Sequence, residues 1–265
     1  MPGRPAGPRT VLSCFCLPAA DHPGAIVAKT LRPCYHPLLL PARTAKPRIL
    51  AAIPARYGST RFPGKALAAL AGKPMVQHVY ERVARAAYVD RVVVATDDAR
   101  IVAAVEGFGG EARLTRRDHR TGSDRLAELV EGIECDLVVN VQGDEPLVEP
   151  GAIAQAIEPF FLEESLQVTT LKVRLHDPET LRDPNVVKVA TDERGFAVNF
   201  FRVATVIPGV EINLDEEAYF KHLGLYVYTR ECLLRFAKLA PSPGEEREKL
   251  EQLRLLEHGI PIQVV

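Results

Sequence analysis

The stretch IPARYGSTRFPGK, residues 53–65, constrains this chain more than any other. It closes an apolar run, residues 49–53, whose length suits a buried strand. Pro54 has no N–H for a ladder, so the strand is expected to stop there. Beyond it come three fixed cations, Arg56, Arg61 and Lys65, with Gly58, Gly64 and the hydroxyls of Ser59 and Thr60. Glycine lets backbone N–H groups turn toward a close ligand, and guanidinium and ammonium groups neutralise an anion. The loop therefore suits a phosphate chain held at the carboxyl end of a strand. It is not a P-loop: five residues separate Gly58 from Gly64, and Ala66 stands where a P-loop carries a hydroxyl. The competing reading is a solvated basic loop with turn glycines.

The body of the chain then alternates strands with helices. Met75, Val76, Val79, Val83 and Ala86 recur at three- and four-residue steps after Pro74, predicting a helix to about Ala87. Strands are predicted over 92–95, 112–114 and 137–141. The helices between them have apolar faces at Ile101, Val102 and Val105, with Asp97 as cap, and over 126–131. Such alternation implies right-handed crossovers and a mostly parallel sheet with helices on both faces. Past Gln142 the pattern becomes richer in strands. It reads as a helix over 153–162, a strand over 168–173, and a hairpin of 186–190 with 196–201 around Arg194-Gly195. Residues 223–228 alternate, with Leu223, Leu225 and Val227 on one face and His222, Gly224, Tyr226 and Tyr228 on the other. Two acidic-basic helices, 231–239 and 245–257, and a strand over 260–265 follow.

At 265 residues with formal net charge −1, the chain can bury a large core and gives no whole-chain argument for a nucleic-acid partner. No apolar run reaches the roughly 20 residues of a membrane span. Only Cys135 and Cys232 of the five cysteines lie in the body, which fits a reducing cytoplasm better than a disulfide framework. Residues 1–48 hold nine of the 21 prolines, seven Lys or Arg and the single acid Asp21, without periodicity. They read as a disordered extension to a domain spanning 49–265.

In an open parallel sheet, ligands bind beyond the carboxyl ends of the strands. VQGDEP, residues 141–146, falls there beside the basic loop. Mg²⁺ prefers one or two carboxylates with phosphate oxygens and water, so Asp144 beside a phosphate loop is a candidate ligand; a capped turn is the alternative.

These stretches, with VVVATDD, KHLGLYVY and LEQLRLLEHG, resemble in order the 3-deoxy-manno-octulosonate cytidylyltransferase (CMP-Kdo synthetase) family from about Ile49 onward. The resemblance implies a Rossmann-like nucleotidyltransferase fold with a smaller β-rich sugar-binding part, a homodimer, and Mg²⁺-dependent transfer of CMP from CTP to the acidic sugar Kdo for lipopolysaccharide. It also implies roles. Arg56, Arg61 and Lys65 would hold the triphosphate, with Ala55, Ser59, Ser123, Arg125 and Gln142 near the nucleotide. Asp144 would bind Mg²⁺, and Gln142, Arg202, His222, Tyr226, Glu251 and Gln252 would face Kdo.

The sequence departs from the family pattern in places. Phe201-Arg202 stands where the family has Ser-Arg, the hydroxyls of Thr121-Gly122-Ser123 are swapped, and Ile207-Pro208 comes late. The family pattern also runs past a strand like 260–265 to a further Mg²⁺-binding Asp and a last helix. Such a chain is expected to bind CTP and turn it over slowly. A cytidylyltransferase for sialic acid or an amino-Kdo, or a nucleotide-binding paralogue without turnover, are the rival readings.

Overall fold

The computed structural model describes residues 46–58, 62–203 and 219–265; the proline-rich extension up to residue 45, Ser59, Thr60, Arg61 and Ile207-Pro208 lie outside them. The chain crosses β1 (Ile49–Ala55), makes a small hairpin of β2 (Ala69–Leu70) with β3 (Lys73–Pro74), and enters α1 (Met75–Val83). Then come β4 (Arg91–Thr96), α2 (Ala99–Gly107), β5 (Ala112–Leu114), α3 (Gly122–Glu131) and β6 (Leu137–Asn140). The next elements are α4 (Pro150–Ile157), α5 (Pro159–Leu162), β7 (Val168–Arg174) and α6 (Pro178–Arg182). They lead to β8 (Lys188–Thr191), β9 (Ala197–Phe201) and β10 (Phe220–Thr229). Last are α7 (Arg230–Phe236), α8 (Pro243–Glu248), α9 (Gln252–Glu257) and β11 (Gln263–Val264).

β6, β1, β4 and β5 lie side by side and parallel. The chain steps outward from β1 through β4 to β5, then returns to the far side of β1. That reversal opens a crevice beyond the carboxyl ends of β1 and β6, the place where such sheets bind ligands. β10 is antiparallel to both β6 and β7, and the β8–β9 hairpin pairs onto its start. β11 lies parallel to β7, while Ala197 N donates to Ile262 O at 2.8 Å, so this flank curls back toward itself.

Strand alternation divides the core as the pattern predicts. Ile49, Ala51 and Ile53 pack with Val76 and Val79 of α1, Ile101 of α2 and Ile153 of α4. Leu50 and Ala52 face the other way, onto Leu126 and Val130 of α3 and, with Tyr226 and Tyr228, onto Leu233 and Phe236 of α7.

The structure corrects several expectations. β1 continues through Pro54 to Ala55, opposite Ala95 and Thr96. Its pairing with β6 ends at Ala52, whose carbonyl accepts from Val141 N at 3.1 Å. Residues two apart point the same way, so the missing N–H of Pro54 faces the flank that β6 has left. α1 ends at Val83 rather than near Ala87. Asp98, not Asp97, caps α2, accepting from Arg100 N. α3 begins four residues before Leu126, because Thr121 and Asp124 form a reciprocal capping box. The helix predicted over 153–162 is two, divided where Pro159 can give no N–H. That predicted over 245–257 is also two, divided at Lys249, whose φ is 56°.

Lys46 and Arg48, assigned to the extension by composition, engage the domain. Lys46 Nζ pairs with Asp90 at 3.1 Å, and Arg48 N donates to Asp136 at 2.7 Å.

Candidate active site

The loop after β1 is pinned at both ends. Gly64 N donates to Tyr57 O at 2.9 Å, and Gly64 has φ 71°, with the Tyr57 ring 3.1 Å from where a Cβ would lie. Glycine takes that turn without strain, where a side chain would press on the ring. Tyr57 N donates to Asp97 Oδ1 at 3.1 Å, and the Arg100 guanidinium, gripped by Asp98, covers the Tyr57 ring at 3.6 Å. Ala55 is buried at the strand end and Arg56 is exposed. Lys65 opens a 3₁₀ turn, and its Nζ donates to Asp144 Oδ2 at 2.7 Å. Ser59 and Arg61 lie outside the described residues.

Asp144 belongs to the loop after β6, and a second glycine brings that loop in. A Cβ on Gly143 would sit 2.7 Å from Pro54 O, so the loop reaches the end of β1 only because residue 143 has no side chain. Gln142 Nε2 is 3.5 Å from Asn140 Oδ1. Asp144 is about half exposed (54% of its side chain) and Glu145 reaches toward β10, its Oε1 3.9 Å from the Cβ position of Gly224. Crowding by protein atoms and then the Asp144 charge hold the Glu145 pKa above the usual carboxylate range, against the pull of Lys221.

The third wall is the start of α3. Arg125 is buried and committed internally. Its guanidinium donates to Thr115 Oγ1 at 2.5 Å, Arg116 O at 3.1 Å and Asp97 Oδ2 at 3.3 Å. Asp97 therefore joins the β1 loop to α3, a role that sequence reasoning missed. The clue was present in VVVATDD: with Asp98 sufficient to cap α2, Asp97 was left over. Ser123 is buried at the same helix start.

Of the residues expected on the sugar side, His222 and Tyr226 share one face of β10. His222 is buried, its Nε2 2.9 Å from Thr170 Oγ1. That hydroxyl also donates to Leu225 O at 2.8 Å, so it accepts from His222, which carries its proton on Nε2. Desolvation lowers the His222 pKa to about 4. A register shift between Leu223 and Tyr226 bulges β10 around Gly224. The His222 ring lies 4.9 Å from Phe200 and 5.4 Å from Tyr226.

Glu251, partly buried, precedes α9, and Gln252, its first residue, is buried; desolvation raises the Glu251 pKa against the hydroxyls of Ser123 and Thr121. Tyr226 OH and Glu251 Oε1 have no hydrogen-bond partner among the described residues. Each such buried polar atom costs about 1–3 kcal/mol. Arg202 donates to Glu248 O at 3.0 Å and to Pro184 O at 3.2 Å.

A parallel sheet whose reversal point sets a basic, glycine-bearing loop against a carboxylate loop defines the class: a nucleotidyltransferase. Residues 50–262 match the cytidylyltransferase family. The 3-deoxy-manno-octulosonate cytidylyltransferase of Syntrophotalea carbinolica is 54% identical over 224 residues, covering 82% of this chain and 89% of that protein. Its counterpart in Geotalea daltonii is 53% identical, with the same coverage of each chain. Among solved structures, a CMP:2-keto-3-deoxy-manno-octonic acid synthetase complexed with CTP superposes with a TM-score of 0.77 at 42% identity, over 82% of this chain and 89% of that one. A cytidylyltransferase from Leptospira borgpetersenii, 14% identical with a TM-score of 0.53 over 82% of this chain and 75% of its own, shares the fold. The chain belongs to the 3-deoxy-manno-octulosonate cytidylyltransferase family, the CMP-Kdo synthetases.

Proposed function

We propose that this chain transfers CMP from CTP to Kdo, releasing pyrophosphate, in lipopolysaccharide biosynthesis. The observation that carries this reading is the meeting of Lys65 and Asp144 at the sheet's reversal point, 2.7 Å apart. A cation for phosphate and a carboxylate for a metal are thereby set side by side.

The anomeric hydroxyl of Kdo attacks the α-phosphorus of CTP in line, forming the new O–P bond as the bond to the β-phosphate oxygen breaks. Little covalent chemistry falls to the protein in such a transfer, so positioning and charge neutralisation dominate. Arg56, Arg61 and Lys65 neutralise the triphosphate and the leaving pyrophosphate. Gln142 and Ser123 sit nearer the nucleotide, and Arg125 braces the wall through Asp97. His222, Tyr226, Glu251, Gln252 and Arg202 shape the sugar side. Neutral at pH 7, His222 presents its Nδ1 lone pair as an acceptor.

The donor set suits Mg²⁺. Mg²⁺ needs only one or two carboxylates beside phosphate oxygens and water, and Asp144 offers a hard, accessible oxygen there. When bound, Mg²⁺ supplies charge neutralisation at the reacting phosphate.

A homodimer in the cytoplasm, where CTP is available, completes the reading; no helix among the described residues is long and apolar enough to cross a membrane. The test is release of pyrophosphate and CMP-Kdo from CTP, Kdo and Mg²⁺, with sialic acid and amino-Kdo in parallel. Preference for either of the other sugars, or CTP binding without turnover, overturns the proposal.

A further inference from the structure

Thr170 of β7 takes no part in the reading above, yet features of the sugar side meet at its hydroxyl. It is fully buried and lies opposite Tyr226 of β10. On the next rung Leu171 pairs with Leu223, so Gly224 and Leu225 have no opposite residue on β7. A bulge of this kind leaves main-chain groups out of the ladder. Here Thr170 Oγ1 takes them up, donating to Leu225 O at 2.8 Å and lying 3.2 Å from Leu223 O. The bulge in turn abuts the carboxylate loop. The Cβ position of Gly224 is 3.9 Å from Oε1 of Glu145, the residue after Asp144.

A hydroxyl has a single proton to give. With that proton committed to Leu225 O, the 2.9 Å contact with His222 Nε2 requires the ring nitrogen to donate. The reverse arrangement, a hydroxyl pointing at Nε2, would leave two bare oxygens facing each other at 2.8 Å. One buried side chain therefore sets two things at once. It holds the shape of β10 beside the Asp144 loop, and it decides which nitrogen of His222 keeps a lone pair. Valine would keep the branched side chain and lose both hydrogen bonds, whereas serine would keep the hydroxyl.

We infer that Thr170 is a positioning residue for the sugar: its hydroxyl holds the β10 bulge and fixes His222 with Nδ1 bare, an acceptor for a sugar hydroxyl. This rests on the Kdo reading, which puts His222 on the sugar side. Being fully buried, Thr170 acts through His222 and the bulge.

The test joins nuclear magnetic resonance of the ring nitrogens to steady-state kinetics, both on the full chain. Isotopically labelled histidine reports the tautomer, and His222→Gln assigns the His222 signals by their loss. The parent should show a protonated Nε2 and a bare Nδ1. Thr170→Val should lose that pattern and raise KM for Kdo about threefold or more, the scale of one hydrogen bond. Its kcat and its KM for CTP should stay within about twofold of the parent, the mark of lost sugar binding alone. Thr170→Ser should restore both the pattern and the KM. If Thr170→Val does not fold, Thr170→Ala takes its place with the same expectation. A bare Nε2 in the parent overturns the assignment. So does a parental ring pattern or a parental KM for Kdo in the folded variant without the hydroxyl, or an equal rise in KM for both substrates. A parent that binds CTP but forms no CMP-Kdo, whatever the state of its ring, overturns the Kdo reading itself, and this assignment with it.

Discussion

The Lys65 ammonium and the Asp144 carboxylate touch at 2.7 Å although 79 residues separate them in the chain. The contact exists because β6 returns to the free side of β1, bringing two loops to one crevice, and because Gly143 lets them close on each other. In solvent the two charges hold each other weakly, since both side chains are more than a third exposed. Each is therefore available to a stronger partner, phosphate for Lys65 and a divalent cation for Asp144.

Asp144→Asn should abolish most turnover and leave folding nearly untouched. An exposed ion pair contributes about 1 kcal/mol or less, so the melting temperature should move little. Pyrophosphate release should fall about a hundredfold or more, because the carboxylate charge at the metal-phosphate site is lost. Near-parental turnover at saturating Mg²⁺ would remove Asp144 from the metal site.

Lys65→Ala should separate CTP from CMP. A charge-assisted hydrogen bond to phosphate is worth about 1.5–3 kcal/mol, so calorimetry should show CTP affinity reduced at least about tenfold. CMP affinity should stay within about threefold of the parent. Equal losses for both nucleotides would place Lys65 away from the outer phosphates.

Gly143→Ala should cost both stability and activity. Its Cβ would meet the Pro54 carbonyl at 2.7 Å, and the neighbour is backbone rather than a yielding side-chain tip. Overpacking of this kind costs about 1–3 kcal/mol, read as a lower denaturation midpoint, and the displaced loop should also lower turnover. A variant with parental midpoint and rate would show that the β6 loop relaxes freely.

His222 predicts a particular response to acid. Its pKa falls to about 4 in the folded chain, because burial disfavours the imidazolium. Below the ordinary value of about 6.5 the unfolded chain gains a proton that the native chain refuses. The resulting stability is therefore fully present above about pH 6.5 and is lost as pH falls toward about 4. The loss amounts to at most about 3 kcal/mol. Denaturation curves of parent and His222→Gln across that range should converge as pH falls. Parallel curves would mean that the ring titrates normally.

Much of the architecture was legible because its signals were local. The apolar runs at residues 49–53 and 137–141 are too short for helices and bounded by turn residues, and the alternation of Leu223, Leu225 and Val227 matches their shared core. What escaped depended on contacts between distant segments. Pro54 stays in its strand only because β6 stops at Asn140, which nothing near Pro54 announces. Asp97 and Asp98 are chemically identical neighbours, and only the positions of Tyr57 and Arg125 decide which one caps and which one bridges. The site was legible in its parts, since loops rich in glycine and charge declare themselves. Its bracing was not, because the guanidinium of Arg125 turns inward to Thr115 and Asp97 rather than outward.

The curling of the β7–β10–β8–β9 flank back onto β11 also governs how the sheet meets other chains. Residues 262–264 occupy hydrogen-bonding groups at the start of β9 and along β7, where an exposed ladder would invite an intruding strand. On the opposite flank β5 forms the border, only three residues long and carrying Arg113 at its centre. A border so short and charged offers little template for cross-β growth. The β5 border and the β7 edge covered by β11 are thereby poor templates for an incoming strand.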